Sequence, residues 1–332
     1  MIERLLGRRD AFANFAWCFV VYLLGVILFG AWVRITGSGA GCGDHWPTCH
    51  GQVIPRTDDI KTMIEYTHRL TSGLCGIFGL VMIVWAYIKH RKGKVFLGAT
   101  LTMVFILLEA LIGAGIVLRE LVADNDSVAR AIVISLHLVN TLILMAAASL
   151  TAWWASDTAH GRRAAWRADE AGPVDEDLPA STYSLDRVLL FLGALLIIAT
   201  CMSGAVTALG DTLFPVDPTI GQGLMARVRD DLSATRHFLV RLRILHPIIA
   251  VVSAAALIFI GNRMLNRAQG NTRSWALALC TSVALQVLVG LVNIALAAPA
   301  WVQLLHLLTA QLVWISLVLL AASSSRISSA EA

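Results

Sequence analysis

Residues 64–88 have the sequence IEYTHRLTSGLCGIFGLVMIVWAYI, and the rest of the chain is best understood from this stretch. It is long and apolar enough to cross a bilayer, because a helical span needs about 20 mainly apolar residues. It also carries a histidine, His68, in its first turns. An ionisable side chain is costly inside a membrane and usually has a function there. The stretch therefore predicts a membrane helix that holds a functional imidazole.

Seven further stretches of the 332-residue chain have the same length and apolar character. The chain is 57% hydrophobic and its mean hydropathy is +0.72, which is too apolar for a soluble protein of this length. We therefore predict an all-α, polytopic membrane protein with eight transmembrane helices. The predicted spans lie near residues 12–33, 64–88, 95–118, 130–154, 187–209, 240–261, 274–297 and 301–322.

The distribution of Lys and Arg predicts how these spans are oriented. Both tails and the loops after the second, fourth and sixth spans together carry fifteen of these residues, more than the opposite loops. The positive-inside rule then places both termini in the cytoplasm and predicts a multi-pass protein of the cell inner membrane. The formal net charge is only +4, and no basic stripe with interleaved aromatic residues occurs. We therefore expect the lipid bilayer, and no nucleic acid, as a partner.

Recurring residues predict that the chain consists of two related halves. The number of residues between His68 and His246 is almost the same as the number between Glu109 and Gln286. A fixed spacing of this kind is typical of an internal repeat. Because each half contains an even number of spans, both halves have the same orientation in the membrane.

This repeat predicts two pseudo-symmetric four-helix bundles. The amino-terminal bundle comprises residues 1–155 and the carboxyl-terminal bundle comprises residues 187–332. The charged stretch between them, residues 156–186, contains Pro and Gly and has the composition of a solvated cytoplasmic linker.

Four histidines occupy equivalent places in the second, fourth, sixth and eighth spans: His68, His137, His246 and His306. A single histidine in a membrane helix is explained equally well by a hydrogen bond to a neighbouring helix. Four at matching depth, two in each half, instead favour two bis-imidazole sites, and in a helix bundle these are typical of heme. We predict that all four are axial ligands of heme iron near the outer face of the membrane.

Heme propionates at this depth need cations, and three arginines lie within one turn of the histidines. These are Arg69 in the first half and Arg241 and Arg243 in the second, with Arg34 as a further candidate. We expect Arg241 and Arg243 to contribute to cofactor binding.

Glu65 lies three residues before His68, so the carboxylate and the imidazole share a helix face. The corresponding position in the second half is Arg243. This difference predicts an acid near a reacting centre in the first half and charge neutralisation in the second. In an alternative interpretation, Glu65 caps its helix or pairs with Arg69. Glu109, in the middle of the third span, is either a protonated, hydrogen-bonded group or part of a proton path.

The first outer loop contains Cys42 and Cys49. In an oxidising outer compartment two such cysteines form a disulfide by default. A zinc site that also uses His45 and His50 is the alternative, although the spacing matches no usual ligand pattern.

Five motifs of this chain together resemble the heme A synthase family. They are residues 33–39 (VRITGSG), the cysteine loop 42–49, and residues 65–69 (EYTHR), 210–215 (GDTLFP) and 238–247 (FLVRLRILHP). The resemblance extends over all eight spans. The Glu-x-x-His-Arg motif and the cysteine loop are its most specific parts.

The resemblance implies an oxidoreductase that acts on a CH group, oxidising the C8 methyl of heme O to the formyl group of heme A. It implies that His68 and His137 hold the substrate heme O with Glu65 close to the chemistry. It implies further that His246 and His306 hold a heme b cofactor, which transfers electrons during two successive oxidations. The chemistry would proceed through a hydroxymethyl group and a hydrated aldehyde that loses water.

The resemblance also implies a Cys42–Cys49 disulfide and a set of partners. These partners are a heme O synthase, terminal oxidase assembly factors and an electron-transfer protein that the sequence does not identify, and the chain is a candidate homo-oligomer. The outer loop before the sixth span lacks the cysteine pair that some bacterial members carry. Two other functions fit the histidine pattern: a di-heme b-type cytochrome that takes electrons from quinol, and a heme transporter built on parallel repeats.

Overall fold

The computed structural model describes residues 10–56, 58–91, 93–164, 180–215, 224–267 and 270–324. These residues are predominantly helical and contain no β-strand beyond an isolated bridge between Cys49 and Gln52. The predicted all-α class is therefore confirmed.

The described part of the chain forms ten helices, and eight stretches of it are long and apolar enough to span a membrane. Helices α7 and α8 together form the sixth of these stretches, and α6 is a short helix in the loop before it. All eight predicted spans are confirmed. The helices are α1 (Ala11–Ile35), α2 (Ile60–His90), α3 (Lys94–Leu118), α4 (Val128–Ala164), α5 (Ala180–Leu213), α6 (Leu224–Asp231), α7 (Phe238–Leu242), α8 (Leu245–Leu265), α9 (Gly270–Ala295) and α10 (Ala300–Ser324).

Two aspartates fix the starts of the first two spans. Asp10 accepts a hydrogen bond from the Phe12 N–H at 2.9 Å and caps α1. Asp59 caps α2 by accepting hydrogen bonds from the Thr62 N–H at 2.9 Å and the Thr62 hydroxyl at 2.7 Å. These hydrogen bonds lower the pKa of the Asp59 carboxyl. Each cap satisfies a backbone donor that a helix start leaves without a partner.

The sixth span is broken, whereas the sequence predicts one continuous helix at 240–261. Helix α7 ends at Leu242 and α8 begins at Leu245. Pro247 explains the interruption, because proline has no N–H to donate to the preceding turn and is tolerated only in the first turn of a helix. His246 therefore lies in the first turn of α8.

The spanning helices pack as two closed sets of four. Helices α1 and α3 each contact both α2 and α4, and α5 and α9 each contact both α8 and α10. The sets meet through contacts of α4 with α5 and α10 and of α1 with α10. Two four-helix bundles would pack in this way, and the pseudo-symmetric division at residues 155 and 187 stays a prediction.

Helices extend into the predicted linker, residues 156–186, from both ends, and its role as a linker stays a prediction. Helix α4 continues to Ala164 and α5 already begins at Ala180. Charged residues near a helix end can leave the bilayer and continue the helix in water, so composition alone places this boundary poorly. The central part of the predicted linker, 165–179, lies outside the described residues, as do residues 1–9 and 325–332 of the two tails.

Close packing of α3 against α4 depends on Gly98. A Cβ atom at this position would overlap the Thr151 hydroxyl and lie 3.2 Å from the Trp154 ring. Thr151 is fully buried, and its hydroxyl donates to the carbonyl of Ala147 at 2.7 Å. The hydroxyl therefore has no free space into which it could withdraw.

We expect Gly98→Ala to destabilise the protein by about 1–3 kcal/mol, the usual cost of inserting a methyl group into a packed interface. Gly25→Ala on α1 is the matched control, because a Cβ there meets nothing within 4 Å. Thermal unfolding of both purified variants in detergent measures the difference. Equal midpoints would show that α3 and α4 do not need the missing side chain.

Candidate functional site

Two of the four predicted ligands, His246 on α8 and His306 on α10, face each other. Their ring centroids are 6.3 Å apart and the ring planes are almost perpendicular, at 88°. Because a metal–nitrogen bond to an imidazole is about 2 Å long, two imidazoles on opposite sides of one metal ion have ring centres about 6 Å apart. The separation of His246 and His306 fits bis-imidazole binding of a single heme iron.

Polar neighbours hold one nitrogen of each of these rings. The Ser203 hydroxyl lies 3.0 Å from His246 Nδ1, and the Gln286 side-chain nitrogen lies 3.3 Å from His306 Nε2. The other ring nitrogen of His306, Nδ1, is buried and has no hydrogen-bond partner among the described residues. Ligand histidines commonly use one nitrogen for the metal and the other for such a neighbour.

Glycines on the facing helices make room for both rings. A Cβ on Gly204 would lie 3.0 Å from His246 Cε1, and a Cβ on Gly290 would lie 3.2 Å from His306 Cε1. Both distances are shorter than ordinary van der Waals contact. Any larger residue at position 204 or 290 would displace His246 or His306, respectively.

The first-half pair, His68 on α2 and His137 on α4, has related surroundings. Gly30 on α1 would bring a Cβ within 3.1 Å of His68 Cε1, and Phe29 makes an edge contact with the same ring at 5.7 Å. The buried Nδ1 atoms of both histidines have no hydrogen-bond partner in the described part of the chain. Their assignment as iron ligands stays a prediction.

Glu109 on α3 lies beside His137, a juxtaposition that the sequence analysis did not predict. Its Oε1 atom is 3.5 Å from His137 Nδ1 and accepts a hydrogen bond from the Thr141 hydroxyl at 2.5 Å. Asn140 donates to the other carboxylate oxygen. Spacing alone could not place Glu109 here, since α3 and α4 are separate helices whose rotations decide which faces meet.

Glu65 is 3% exposed and makes the ion pair that the alternative interpretation describes. Its Oε1 accepts from Arg69 Nε at 3.1 Å and from Arg69 Nη2 at 2.5 Å, and its Oε2 accepts the Cys42 N–H at 2.8 Å. Arg69 also donates to the carbonyls of His45 and Thr48. The pair therefore ties the outer loop to the helix of His68, and the catalytic role of Glu65 stays a prediction.

The outer loop is closed by the predicted disulfide. Cys42 and Cys49 are bonded and almost completely buried. This bond leaves neither sulfur as a thiolate, the form that binds zinc, so the alternative zinc site is not formed.

Arg243 is engaged by protein acceptors. It pairs with Asp211 at 2.8 Å and Asp231 at 3.5 Å, and it donates to the carbonyls of Gly210 and Phe214. Burial raises the pKa of the Asp231 carboxyl, and the Arg243 charge opposes this shift. Arg243 thus joins α6 to the carboxyl-terminal end of α5.

Of the two second-half arginines assigned to cofactor binding, Arg241 has the exposed side chain. Arg243 would have to exchange a carboxylate or carbonyl contact for a propionate, whereas Arg241 has no such contact among the described hydrogen bonds. The propionate roles of Arg241 and Arg243 stay predictions.

Arg34, another predicted propionate ligand, instead connects the two sets of helices. Its guanidinium donates to the Ala208 carbonyl and the Thr212 hydroxyl on α5, each at 2.6 Å, and to Gln303 on α10 at 3.1 Å. Asp211 is close enough to interact with it electrostatically. Arg34 and Asp211 are separated by the same number of residues as Glu109 and Gln286, so they occupy equivalent positions in the two halves.

Comparison with known proteins identifies relatives over most of the chain. Residues 13–318 match the family model COX15-CtaA, described as cytochrome oxidase assembly protein. A protein of Thermus thermophilus named protoheme IX farnesyltransferase is 45% identical over 314 residues, which are 94% of this chain and 48% of that protein. The chain thus spans about half the length of this curated relative.

Proteins named heme A synthase match shorter parts of the chain. One from Exiguobacterium sp. is 43% identical over 98 residues, which are 29% of this chain and 32% of that protein. Another, from Halalkalibacterium halodurans, is 46% identical over 95 residues, which are 28% of this chain and 31% of that protein.

We expect Gly204→Ala to lower the heme content of the second-half site, because the new methyl group would displace His246 from its position opposite His306. Gly193→Ala is the matched control: it lies on the same helix, and its Cβ would meet Ile260 at a similar distance, 3.1 Å. Heme absorbance per purified chain measures the effect. Equal losses in both variants would attribute the effect to general packing and not to the histidine.

Proposed function

Because the chain belongs to the COX15-CtaA family of cytochrome oxidase assembly proteins, we propose that it is a heme A synthase, which oxidises the C8 methyl group of heme O to a formyl group. The 6.3 Å separation of the His246 and His306 rings carries this proposal, because it suits one iron with two imidazole ligands. Such a ligand pair, beside a second histidine pair, provides one redox centre for electron transfer and one site for a heme substrate.

His246 and His306 hold the cofactor heme b in this proposal. When bound, this heme supplies one-electron transfer away from the substrate site. Ser203 and Gln286 orient the two imidazoles, and Gly204 and Gly290 leave room for them. Arg241, with its exposed side chain, is the second-half arginine available to a propionate without loss of an ion pair.

His68 and His137 hold the substrate, heme O, through its iron. Gly30 and Phe29 fix the position of the His68 ring from α1. Glu65 accepts a proton or orients a water molecule at the methyl group. Its support by Arg69 and the Cys42 N–H keeps the carboxylate in one orientation on the helix that carries His68.

The reaction is two successive two-electron oxidations. The first converts the methyl group to a hydroxymethyl group, and the second gives a hydrated aldehyde that loses water to form the formyl group. Written with water as the oxygen donor, each oxidation releases two electrons and two protons. The electrons leave for an electron-transfer partner, and a heme held by His246 and His306 would supply the path.

The relatives from Thermus are named for farnesyl transfer to protoheme IX, but this chain covers only 48% of the first of them. Beyond the part that matches this chain, that relative therefore contains about as many residues again, and its name describes the whole protein. We assign oxidation to this chain because histidine pairs suit redox chemistry and because proteins named heme A synthase match parts of it.

We propose further that this is a multi-pass protein of the cell inner membrane, with two related four-helix bundles and both termini in the cytoplasm. The excess of Lys and Arg in the tails and in alternate loops supports this orientation. Its partners in the proposal are a source of heme O, terminal oxidase assembly factors, the electron-transfer protein and a second copy of the chain.

Expression of the protein in cells that make heme O, followed by extraction and chromatography of the hemes, tests the function. We expect heme A together with its hydroxymethyl precursor, and neither in cells with an empty vector. Unmodified heme b alone would instead indicate a di-heme cytochrome. Flux of unaltered heme into protein-containing vesicles would indicate a transporter, and farnesylation of protoheme IX would indicate a transferase.

Glu65→Gln should leave heme bound and reduce turnover by about 10²- to 10⁴-fold, the usual contribution of a positioned acid or base. The amide keeps the shape of the side chain and can still accept the Cys42 N–H. Glu120→Gln, which removes an exposed loop carboxylate, is the control and should retain activity. Chromatographic measurement of heme A per bound heme separates turnover from binding, and wild-type turnover in Glu65→Gln would remove the residue from the mechanism.

A further inference from the structure

Glu109 is a partly exposed residue of α3 whose two carboxylate oxygens lie close to polar side chains of α4. The Thr141 hydroxyl and the Asn140 amide donate to its two oxygens, and His137 Nδ1 lies 3.5 Å from Oε1. The Asn140 amide also donates to the Phe105 carbonyl at 3.0 Å, which fixes its orientation. The Asn140 amide nitrogen can only donate, so Glu109 serves as its acceptor. His137 Nδ1 has no hydrogen-bond partner among the described residues, and Glu109 Oε1 is close enough to accept from it.

The second half has a related arrangement in which a neutral side chain approaches the other ring nitrogen, Nε2. Gln286, the counterpart of Glu109 in the repeat, contacts the His306 ring at 3.3 Å and accepts a hydrogen bond from the Thr309 hydroxyl. Thr309 and Asn140 both lie three residues after the histidine of their helix. The two sites therefore share a histidine, a polar residue one turn later and a side chain from the preceding spanning helix.

An amide at this position satisfies the packing and the hydrogen bonds between the helices, as Gln286 does in the second half. The packing therefore does not explain why the first half has a carboxylate at the same place. A charge within a membrane-spanning segment is costly and calls for a functional gain. The nearest group on which the charge can act is the imidazole of His137.

We propose that Glu109 is a positioning residue that makes the first-half heme site electron-rich relative to the second. Accepting a hydrogen bond from the ring N–H of His137 increases the basicity of the ligand nitrogen. A more basic axial ligand stabilises oxidised iron and lowers the reduction potential of that site. Gln286, which is neutral, does not do this for His306. The resulting difference drives electrons from the first site toward the second.

This inference rests on the proposed function, in which electrons leave the substrate site through the cofactor site. It adds a direction to that transfer and assigns the direction to one side chain. In this account Glu109 neither binds the iron nor reacts with the substrate. Its effect is carried entirely by the imidazole of His137.

Reciprocal exchange of the two side chains tests the proposal: Glu109→Gln neutralises the first site and Gln286→Glu introduces the charge into the second. The measurement is an optical redox titration of the purified full-length protein carrying heme in both sites. We expect Glu109→Gln to shift one heme component to a higher potential and leave the other unchanged. Gln286→Glu should shift that other component to a lower potential.

Unchanged potentials in Glu109→Gln with both hemes retained would overturn the inference, as would a shift of the same component in both variants. If Glu109→Gln loses its first-half heme, the test rests on Gln286→Glu. An unaltered potential of the second-half heme in that variant refutes the proposal. A merely structural Glu109 would change heme content or thermal stability but not potential. Absence of heme from the wild-type protein would instead refute the proposed function, so the two failures are distinguishable.

Discussion

Polar side chains in the membrane-spanning helices are stabilised by partners inside the protein, because lipid tails offer no hydrogen bonds. This constraint determines much of the structure. Trp314 on α10 donates to the Leu142 carbonyl on α4 at 2.7 Å, and Tyr22 on α1 donates to the Thr71 carbonyl on α2. Each such contact requires one rotation of the donating helix about its axis. The apolar residues exposed on the outer surfaces impose no comparable requirement, since lipid accepts them in any rotation.

Ionic groups near the ends of the helices follow the same rule and join separate parts of the chain. The Glu65–Arg69 pair joins α2 to the disulfide loop, whereas Arg243 and its two aspartates join α6 to α5. Arg34 connects α1 with α5 and α10 through its hydrogen bonds. Arginine suits these positions because its planar group offers five donors, enough to meet several carbonyls and a carboxylate together. The same arginines are thereby less available to a heme propionate.

The two halves share their histidine positions but differ in charge around them. The second half has Arg243 at the position of Glu65 and Gln286 at the position of Glu109. Both differences remove a negative charge from the second half, and both lie close to a histidine in sequence or in space. In the proposed function these carboxylates belong to the substrate site, where protons and electrons must leave the methyl group. The cofactor site needs to transfer electrons only and has neutral or cationic groups instead.

The eight spans and the place of each histidine along its helix could be predicted from the amino-acid sequence, because span length and apolar character depend only on local composition. The disulfide was predictable for a similar reason, since its cysteines lie close together in one loop. The contact of Glu109 with His137, the hydrogen bonds of Arg34 to α5 and the break between α7 and α8 became known only from the folded structure. Which faces of two helices meet depends on the packing of every neighbouring helix at once, and no local pattern contains that information.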